Sequence, residues 1–208
     1  PEALDEVFFK NNEKFIEREL ENYIQLILSS ENKNKYLSKN NLNYKRIDLI
    51  NSILPQSKFL ITIREPLQHA YSLFNQHLHF SNLQKKDDFI RRYMNYLGHN
   101  EFGINHLPWH NPINHHDIYK IDYWIEQWTL FYKDIFEKYN SYQNCNFVIY
   151  EELANPDYIK KFLEKLSLNK NENLNYNYFK NLNKKEINVE YDNDNYNSAK
   201  RIYQEFLN

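Results

Sequence analysis

A short apolar run, residues 59–63, is the feature that most constrains how this chain can fold. Its residues, Phe-Leu-Ile-Thr-Ile, are mostly β-branched or aromatic, and such a run predicts a buried strand. The strand ends at Arg64. In open α/β sheets ligands bind at the carboxyl ends of the strands, so this guanidinium is placed to grip a phosphate or carboxylate with two hydrogen bonds. Pro66 suits the first turn of a following helix, which carries Ser72 eight residues after the arginine.

Two ordered motifs surround this strand. The first comprises Lys39-Asn-Asn, Arg46-Ile, Leu54-Pro, Lys58-Phe, Arg64-x-Pro66 and Ser72. The second is Phe147-Val-Ile-Tyr150-Glu-Glu-Leu-Ala-Asn-Pro156, a predicted strand that ends in Tyr-Glu-acid-Leu. In this order the motifs resemble those of the sulfotransferases that use 3′-phosphoadenosine 5′-phosphosulfate (PAPS), over roughly residues 36–168.

The resemblance implies a fold and a reaction. The fold is α/β, a three-layer α/β/α arrangement with a central parallel sheet, of the P-loop-nucleotide-hydrolase-like sulfotransferase type. The reaction is the transfer of a sulfuryl group from PAPS to a hydroxyl or amine of an acceptor. Adenosine 3′,5′-bisphosphate is the product, and no metal takes part.

The resemblance also implies site residues. Arg64 and Ser72 would bind the 3′-phosphate of the donor, Tyr150 would lie beside its adenosine, and Lys39 would face the donor. Asn41, facing the acceptor, stands where the cytosolic branch of the family has a histidine that acts as general base. An amide cannot take up a proton at neutral pH, so the catalytic residue is unassigned. The alternatives are a solvated Lys39 and a buried Tyr150 with a satisfied hydroxyl.

The helix predicted after Arg64 has a polar face. Ser72 and His79 are seven residues apart, and Asn75 or Gln76 lies between them on the same side. If Ser72 faces the donor, His79 lies two turns further toward the acceptor. We therefore predict that His79 binds substrate, with a purely structural histidine as the alternative.

Residues 98–117 show little periodicity and contain five of the eight histidines: His99, His106, His110, His115 and His116. A metal site is one interpretation, since imidazole is a common ligand. Against it, no helical His-x-x-x-His pair is present, and the adjacent His115 and His116 cannot easily reach one ion. We expect a lid or an acceptor-binding insertion, because long loops in compact domains are often functional.

Apolar periodicity predicts the other elements. Helices are expected at about residues 12–30, 44–54, 66–80, 85–97, 118–139, 156–166 and 196–207, and strands at 36–38, 59–63 and 146–150. The strand at 36–38, the helix at 44–54 and the strand at 59–63 would form a parallel β-α-β unit.

Length and charge fit one domain that binds neither nucleic acid nor a membrane. The chain has 208 residues, with 26 Lys and Arg against 28 Asp and Glu, which gives no broad basic footprint. No apolar run approaches the roughly 20 residues of a membrane helix. The single cysteine, Cys145, excludes an internal disulfide and indicates a reducing compartment, so we expect a cytoplasmic protein.

Glycine is scarce, occurring only at Gly98 and Gly103, and phosphate-binding loops usually need it. The amino-terminal loop that grips the 5′-phosphosulfate in the resembled family is not found, so we expect an amino-terminally truncated domain. Three hypotheses follow: a sulfotransferase; a non-catalytic module that binds an adenosine 3′-phosphate or an anionic glycan; and another nucleotide-using domain such as a kinase. The absence of a Gly-x-x-x-x-Gly-Lys-Ser/Thr loop counts against the kinase. Candidate acceptors are a small hydroxylated metabolite, a glycan and a peptide tyrosine.

Overall fold

The computed structural model describes residues 13–114, 116–168 and 186–207. The chain divides into two compact units: residues 1–57 with 94–99 form the first, and residues 58–93 with 100–208 form the second. The described residues combine helices with a small parallel sheet, which confirms the α/β class. None of the helices described has both the length and the apolar character needed to cross a membrane.

Most of the described part of the first unit is helical. Helix α1 (Glu13–Ser30) follows the predicted apolar periodicity, and the chain turns after it at Asn32, whose φ is 49°. A 3₁₀ helix (Asn41–Arg46) leads directly into α2 (Ile47–Ile53). The Asn40 side chain begins the 3₁₀ helix by accepting a hydrogen bond from a backbone N–H two residues later, at 2.8 Å.

The prediction of a strand at residues 36–38 was wrong, and so was the prediction of the β-α-β unit that depended on it. These residues pair with no other strand in the part of the chain that the structure describes. A strand forms only where its backbone N–H and C=O groups find a partner chain. The strand at residues 59–63 has a different partner, which comes much later in the sequence.

The second unit contains a two-stranded parallel sheet. Strand β1 (Phe59–Ile63) pairs with β2 (Cys145–Ile149) in a register that places Ile63 opposite Ile149. Strand β1 has the predicted bounds, whereas β2 begins and ends one residue earlier than expected. Because the two strands end level, the residues that follow them emerge at the same edge of the sheet.

The second unit also contains helices α3 (Pro66–Lys86), α5 (Ile121–Tyr139), α6 (Pro156–Lys165) and α7 (Asn193–Leu207), with a 3₁₀ turn (Tyr150–Ala154) after β2, and helix α4 (Asp88–Leu97) begins in it. As predicted, Pro66 opens α3, and Asn155 caps α6 by accepting hydrogen bonds from the N–H groups of Asp157 and Tyr158. Helix α3 continues about six residues beyond its predicted end, without a break before Lys86.

The core of the second unit is centred on α5, which packs against both α3 and α7. Trp124 and Trp128 are wholly buried, and replacing either by alanine is expected to cost roughly 3–5 kcal/mol. The hydroxyl of Tyr132 donates to the carbonyl of Thr62 at 2.9 Å and links α5 to β1. The position of the sheet edge relative to α3 and α7 is therefore fixed through α5.

Candidate functional site

Two predicted donor-binding residues meet at the carboxyl edge of the sheet. Arg64 follows β1 and Tyr150 follows β2, and the level register of the strands brings them together. The guanidinium carbon of Arg64 lies over the Tyr150 ring, 5.1 Å from its centroid, in a cation–π arrangement. Both side chains are half-buried, so each keeps an accessible part at this edge.

A glutamate follows each of these two residues in the chain, and both glutamate side chains accept hydrogen bonds from nearby backbone N–H groups. The backbone N–H of Glu65 donates to Oε1 of Glu151 at 2.9 Å, which bridges the two strand ends. Oε2 of Glu65 accepts a hydrogen bond from the Gln68 N–H at 2.8 Å and caps the start of α3. Each carboxylate therefore has one oxygen bound to a backbone N–H.

Two tyrosines of α7 bind the remaining oxygens. The Tyr196 hydroxyl donates to Oε1 of Glu65 at 2.7 Å, and the Tyr203 hydroxyl donates to Oε2 of Glu151 at 2.9 Å. Burial, followed by the hydrogen bond to the glutamate, raises the pKa of both tyrosines. We call Glu65, Glu151, Tyr196 and Tyr203 the carboxylate cluster. Within the described residues, Arg64 forms no ion pair with the cluster or with any other carboxylate.

His69, one turn into α3, also lies near Arg64. Burial and then the positive charge of Arg64 lower the pKa of His69 to about 4. Its Nδ1 is buried without a hydrogen-bond partner among the described residues, and its ring lies 6.1 Å from that of Tyr132. His69 is therefore neutral at pH 7 and leaves the positive charge at this edge to Arg64.

Ser72 and His79 lie on α3 as the spacing predicted. The buried side of the helix carries Phe74 and His77, whereas Ser72 is half-buried and His79 is exposed. Among the residues that the structure describes, the Ser72 hydroxyl makes no hydrogen bond, and the His79 ring contacts that of Phe80 at 5.7 Å. Ser72 thus has a hydroxyl to offer a ligand, and substrate binding by His79 stays a prediction.

Lys39 and Asn41 belong to the first unit. Both side chains are exposed, and Asn41 is the first residue of the 3₁₀ helix. The predicted roles of Lys39 toward the donor and of Asn41 toward the acceptor stay predictions.

Buried polar side chains hold the backbone of the loop between α4 and α5. Oε1 of Gln84, on α3, accepts from the Ile104 N–H at 2.7 Å. The amide of Gln127, on α5, donates to the His110 carbonyl at 2.8 Å and accepts from the His110 N–H at 3.2 Å. Both glutamines are almost fully buried, so the course of residues 100–114 is set by side chains beneath them.

Glu126, also on α5, holds the later part of the same loop. Its Oε1 accepts from the N–H groups of Ile113 and Asn114 at 2.9 and 2.8 Å. The loop directs apolar side chains outward, since Leu107 and Ile113 are 61% and 74% exposed. His115 lies outside the described residues, and no group of His, Cys, Asp and Glu within those ranges could hold a metal ion.

Sequence reasoning missed a buried histidine pair beneath this loop. His77 is wholly buried, and its Nδ1 accepts a hydrogen bond from the Gly103 N–H at 3.3 Å. The Nδ1 of His106 lies 2.8 Å from the Glu101 carbonyl, which can only accept, so Nε2 of His106 accepts from the Tyr123 hydroxyl at 2.7 Å. Burial is the main cause that lowers the pKa of both histidines, to about 4 for His77. This pair joins the loop to the core and lies on the buried side of α3.

Comparison with known proteins gives one match. A family profile described as "Sulfotransferase family" matches residues 3–124, more than half of the chain. The matched range includes Arg64 and Ser72 and ends before Tyr150. Neither the curated proteins nor the solved structures yield a match.

Proposed function

Because the chain belongs to the sulfotransferase family, we propose that it transfers a sulfuryl group from PAPS to a hydroxyl or amine of an acceptor. The observation that carries the proposal is the position of Arg64 and its lack of an ion pair with any described carboxylate. Its guanidinium lies at the carboxyl edge of a parallel sheet with an aromatic ring beneath it, and no described carboxylate pairs with it. A phosphate is the ligand that such a guanidinium binds with two charge-assisted hydrogen bonds.

The hydrogen-bond donors of Arg64 and Ser72 would suit the 3′-phosphate of PAPS. Arg64 offers N–H groups and Ser72 offers a hydroxyl without a hydrogen-bond partner in the described residues, so both can donate to phosphate oxygens. Tyr150 offers the ring on which the adenosine would pack. From the family resemblance, Lys39 would also face the donor, and Asn41 would face the acceptor.

Holding the donor in place is the contribution of these residues to the reaction. Sulfuryl transfer, like phosphoryl transfer, needs donor and acceptor in line and needs the charge on the leaving phosphate to be neutralised. Arg64 and Ser72 would fix one end of the donor and would not touch the transferred group. We further propose that β1 and β2 belong to the central parallel sheet of a three-layer α/β/α sulfotransferase domain.

The acceptor side is assigned to residues 98–117 together with His79. Support comes from the way the loop is held, since its backbone is bound by Gln84, Glu126 and Gln127 while Leu107 and Ile113 face outward. A loop held in this way suits an acceptor-binding wall better than a lid that opens and closes. The acceptor would pack against these apolar side chains, and a small hydroxylated metabolite, a glycan and a peptide tyrosine all stay candidates.

Calorimetric titration with adenosine 3′,5′-bisphosphate, compared with adenosine 5′-monophosphate, tests the donor site. Arg64→Ala is expected to weaken binding of the bisphosphate by about ten- to a hundredfold, the range for losing hydrogen bonds to a charged group. It should leave the monophosphate unaffected, because that ligand lacks the 3′-phosphate. Arg201→Ala is the matched control, since Arg201 is an exposed arginine whose hydrogen bonds stay within α7. Equal affinities for the two nucleotides in the wild-type chain would refute the proposal.

Transfer is tested separately, by supplying PAPS with a radioactive sulfuryl group and a panel of hydroxylated metabolites, glycans and tyrosine peptides. Labelled product that forms with the wild type and is lost with Arg64→Ala is expected. Tight binding of the bisphosphate without transfer to any acceptor would favour the alternative function, a non-catalytic module that binds an adenosine 3′-phosphate or an anionic glycan. Preference for ATP over the bisphosphate would favour a kinase.

A further inference from the structure

We propose that Tyr196 and Tyr203 are positioning residues, which hold two carboxylates in place so that Arg64 stays available for the 3′-phosphate of the donor. The inference rests on the proposed function and extends it to α7. Neither tyrosine would touch the donor. Their role would be to prevent the carboxylates of Glu65 and Glu151 from neutralising the positive charge of Arg64.

Two carboxylates would compete with the phosphate for Arg64, one because of its place in the sequence and the other because of the strand register. Glu65 is the chain neighbour of Arg64, and Oε1 of Glu151 accepts from the N–H of Glu65 at 2.9 Å, so the Glu151 carboxylate reaches the peptide group that follows the arginine. A guanidinium that can reach a free carboxylate ordinarily forms a two-pronged ion pair with it. Such a pair would have to break before a phosphate could bind, and the cost would appear as lost affinity.

All four carboxylate oxygens are already engaged. In each glutamate one oxygen accepts from a backbone N–H and the other accepts from a tyrosine hydroxyl, at 2.7 Å from Tyr196 to Glu65 and 2.9 Å from Tyr203 to Glu151. Both tyrosine hydroxyls are protonated at neutral pH and can donate, and burial raises their pKa further. Removing a hydroxyl would leave one oxygen of a half-buried carboxylate unpaired, which is unfavourable, and we expect Arg64, the residue next to Glu65 in the chain, to turn toward it.

The first test uses Tyr196→Phe and Tyr203→Phe, each titrated with adenosine 3′,5′-bisphosphate and with adenosine 5′-monophosphate. We expect each variant to bind the bisphosphate about five- to tenfold more weakly, the scale of one hydrogen bond, with the monophosphate unchanged. Tyr191→Phe is the matched control, because the Tyr191 ring packs 5.5 Å from that of Tyr196 but its hydroxyl binds no carboxylate in the described residues. Should one variant fail to fold, as judged by circular dichroism, the other decides.

The second test is rescue. Adding Glu65→Gln to Tyr196→Phe is expected to restore the affinity for the bisphosphate, because a neutral amide does not compete for Arg64. The amide oxygen can still accept from the Gln68 N–H and cap α3. If the tyrosine served only to hold α7 against the sheet, the second substitution would restore nothing, and the inference would be overturned.

The outcomes separate this inference from the proposed function. Suppose that Arg64→Ala removes the preference for the bisphosphate while both tyrosine variants bind like the wild type. The inference then fails and the proposed function stands. A wild-type chain without any preference for the bisphosphate would overturn both.

Discussion

Acidification is expected to destabilise the protein through His77, which is buried beneath the loop between α4 and α5. Its Nδ1 accepts the Gly103 N–H, so the neutral ring carries its proton on Nε2, which lies 3.5 Å from the Ser81 hydroxyl. Protonating Nδ1 would break the bond to Gly103 and place a charge where water cannot reach it. Burial, and then the charge of His106, lower the pKa of His77 to about 4, against the opposing influence of Asp117.

The magnitude follows from the two pKa values. Below the ordinary value of 6.5 the unfolded chain takes up a proton on this histidine, whereas the folded chain does so only near pH 4. The unfolded state thus binds more protons in this window, and stability falls as the pH falls. At about pH 5, some 1.5 units below the unfolded pKa, His77 alone should lower the free energy of unfolding by about 2 kcal/mol.

Urea unfolding followed by circular dichroism at about pH 7.5 and about pH 5 measures this difference. His77→Gln can still accept from the Gly103 N–H but cannot titrate, so the acid-induced loss should shrink by about 2 kcal/mol relative to the wild type. His79→Gln is the matched control, an exposed histidine on the same helix, and should keep the wild-type difference. The comparison uses the difference between two pH values, so any loss of packing in the variant cancels.

The reasoning would be refuted if His77→Gln lost as much stability on acidification as the wild type. It would also be refuted if His79→Gln removed the acid sensitivity. His69, whose pKa burial and Arg64 lower to about 4, should contribute a second fall over the same range. The wild-type difference is therefore expected to exceed that of His77 alone.

Three further outcomes are expected. Ser72→Ala should weaken binding of adenosine 3′,5′-bisphosphate by about five- to tenfold in calorimetry, with no change in urea midpoint, since its hydroxyl makes no hydrogen bond in the described chain. Gly103→Ala should lower the free energy of unfolding by roughly 2–4 kcal/mol, because φ is +95° and a Cβ would lie 2.6 Å from Nε2 of Gln84. The control is Gly98→Ala, where φ is 74° and no such clash arises. This variant should lower the free energy of unfolding by only about 1 kcal/mol. Asn155→Ala should lower the free energy of unfolding by about 1 kcal/mol, because the cap of α6 is lost. Thermal unfolding measures this change.

Much of the helical structure could be predicted from sequence, because an amphipathic helix records its buried side in its own residues. Helix α5 and helix α1 follow their apolar periodicity closely, and Pro66 and Asn155 mark helix starts by local chemistry. Strand pairing depends on a partner that is distant in sequence, and no local pattern identifies that partner. For that reason the strand at residues 36–38 was wrong, and β2 as the neighbour of β1 was not anticipated.

The candidate site residues that sequence could propose are those for which a single residue carries the signal, whereas the arrangement in which two elements meet was not foreseen. Arg64 could be proposed from its place at the end of a strand, and Tyr150 from the resemblance of its motif to a known family. The carboxylate cluster depends on the register of β1 with β2 and on α7 approaching that edge. One signal was available: Tyr196 and Tyr203 are seven residues apart, the spacing of one side of a helix, and each binds a glutamate that follows a predicted site residue.

The attachment of the loop to Gln84, Glu126 and Gln127 has a consequence for how its chemistry can change over evolution. These contacts reach only backbone N–H and C=O groups of Ile104, His110 and residues 113–114, and every amino acid except proline supplies both groups. The loop can therefore exchange its outward side chains while its path over the core is inherited unchanged. The specificity of this surface can therefore diversify while three residues of two helices continue to hold the backbone beneath it.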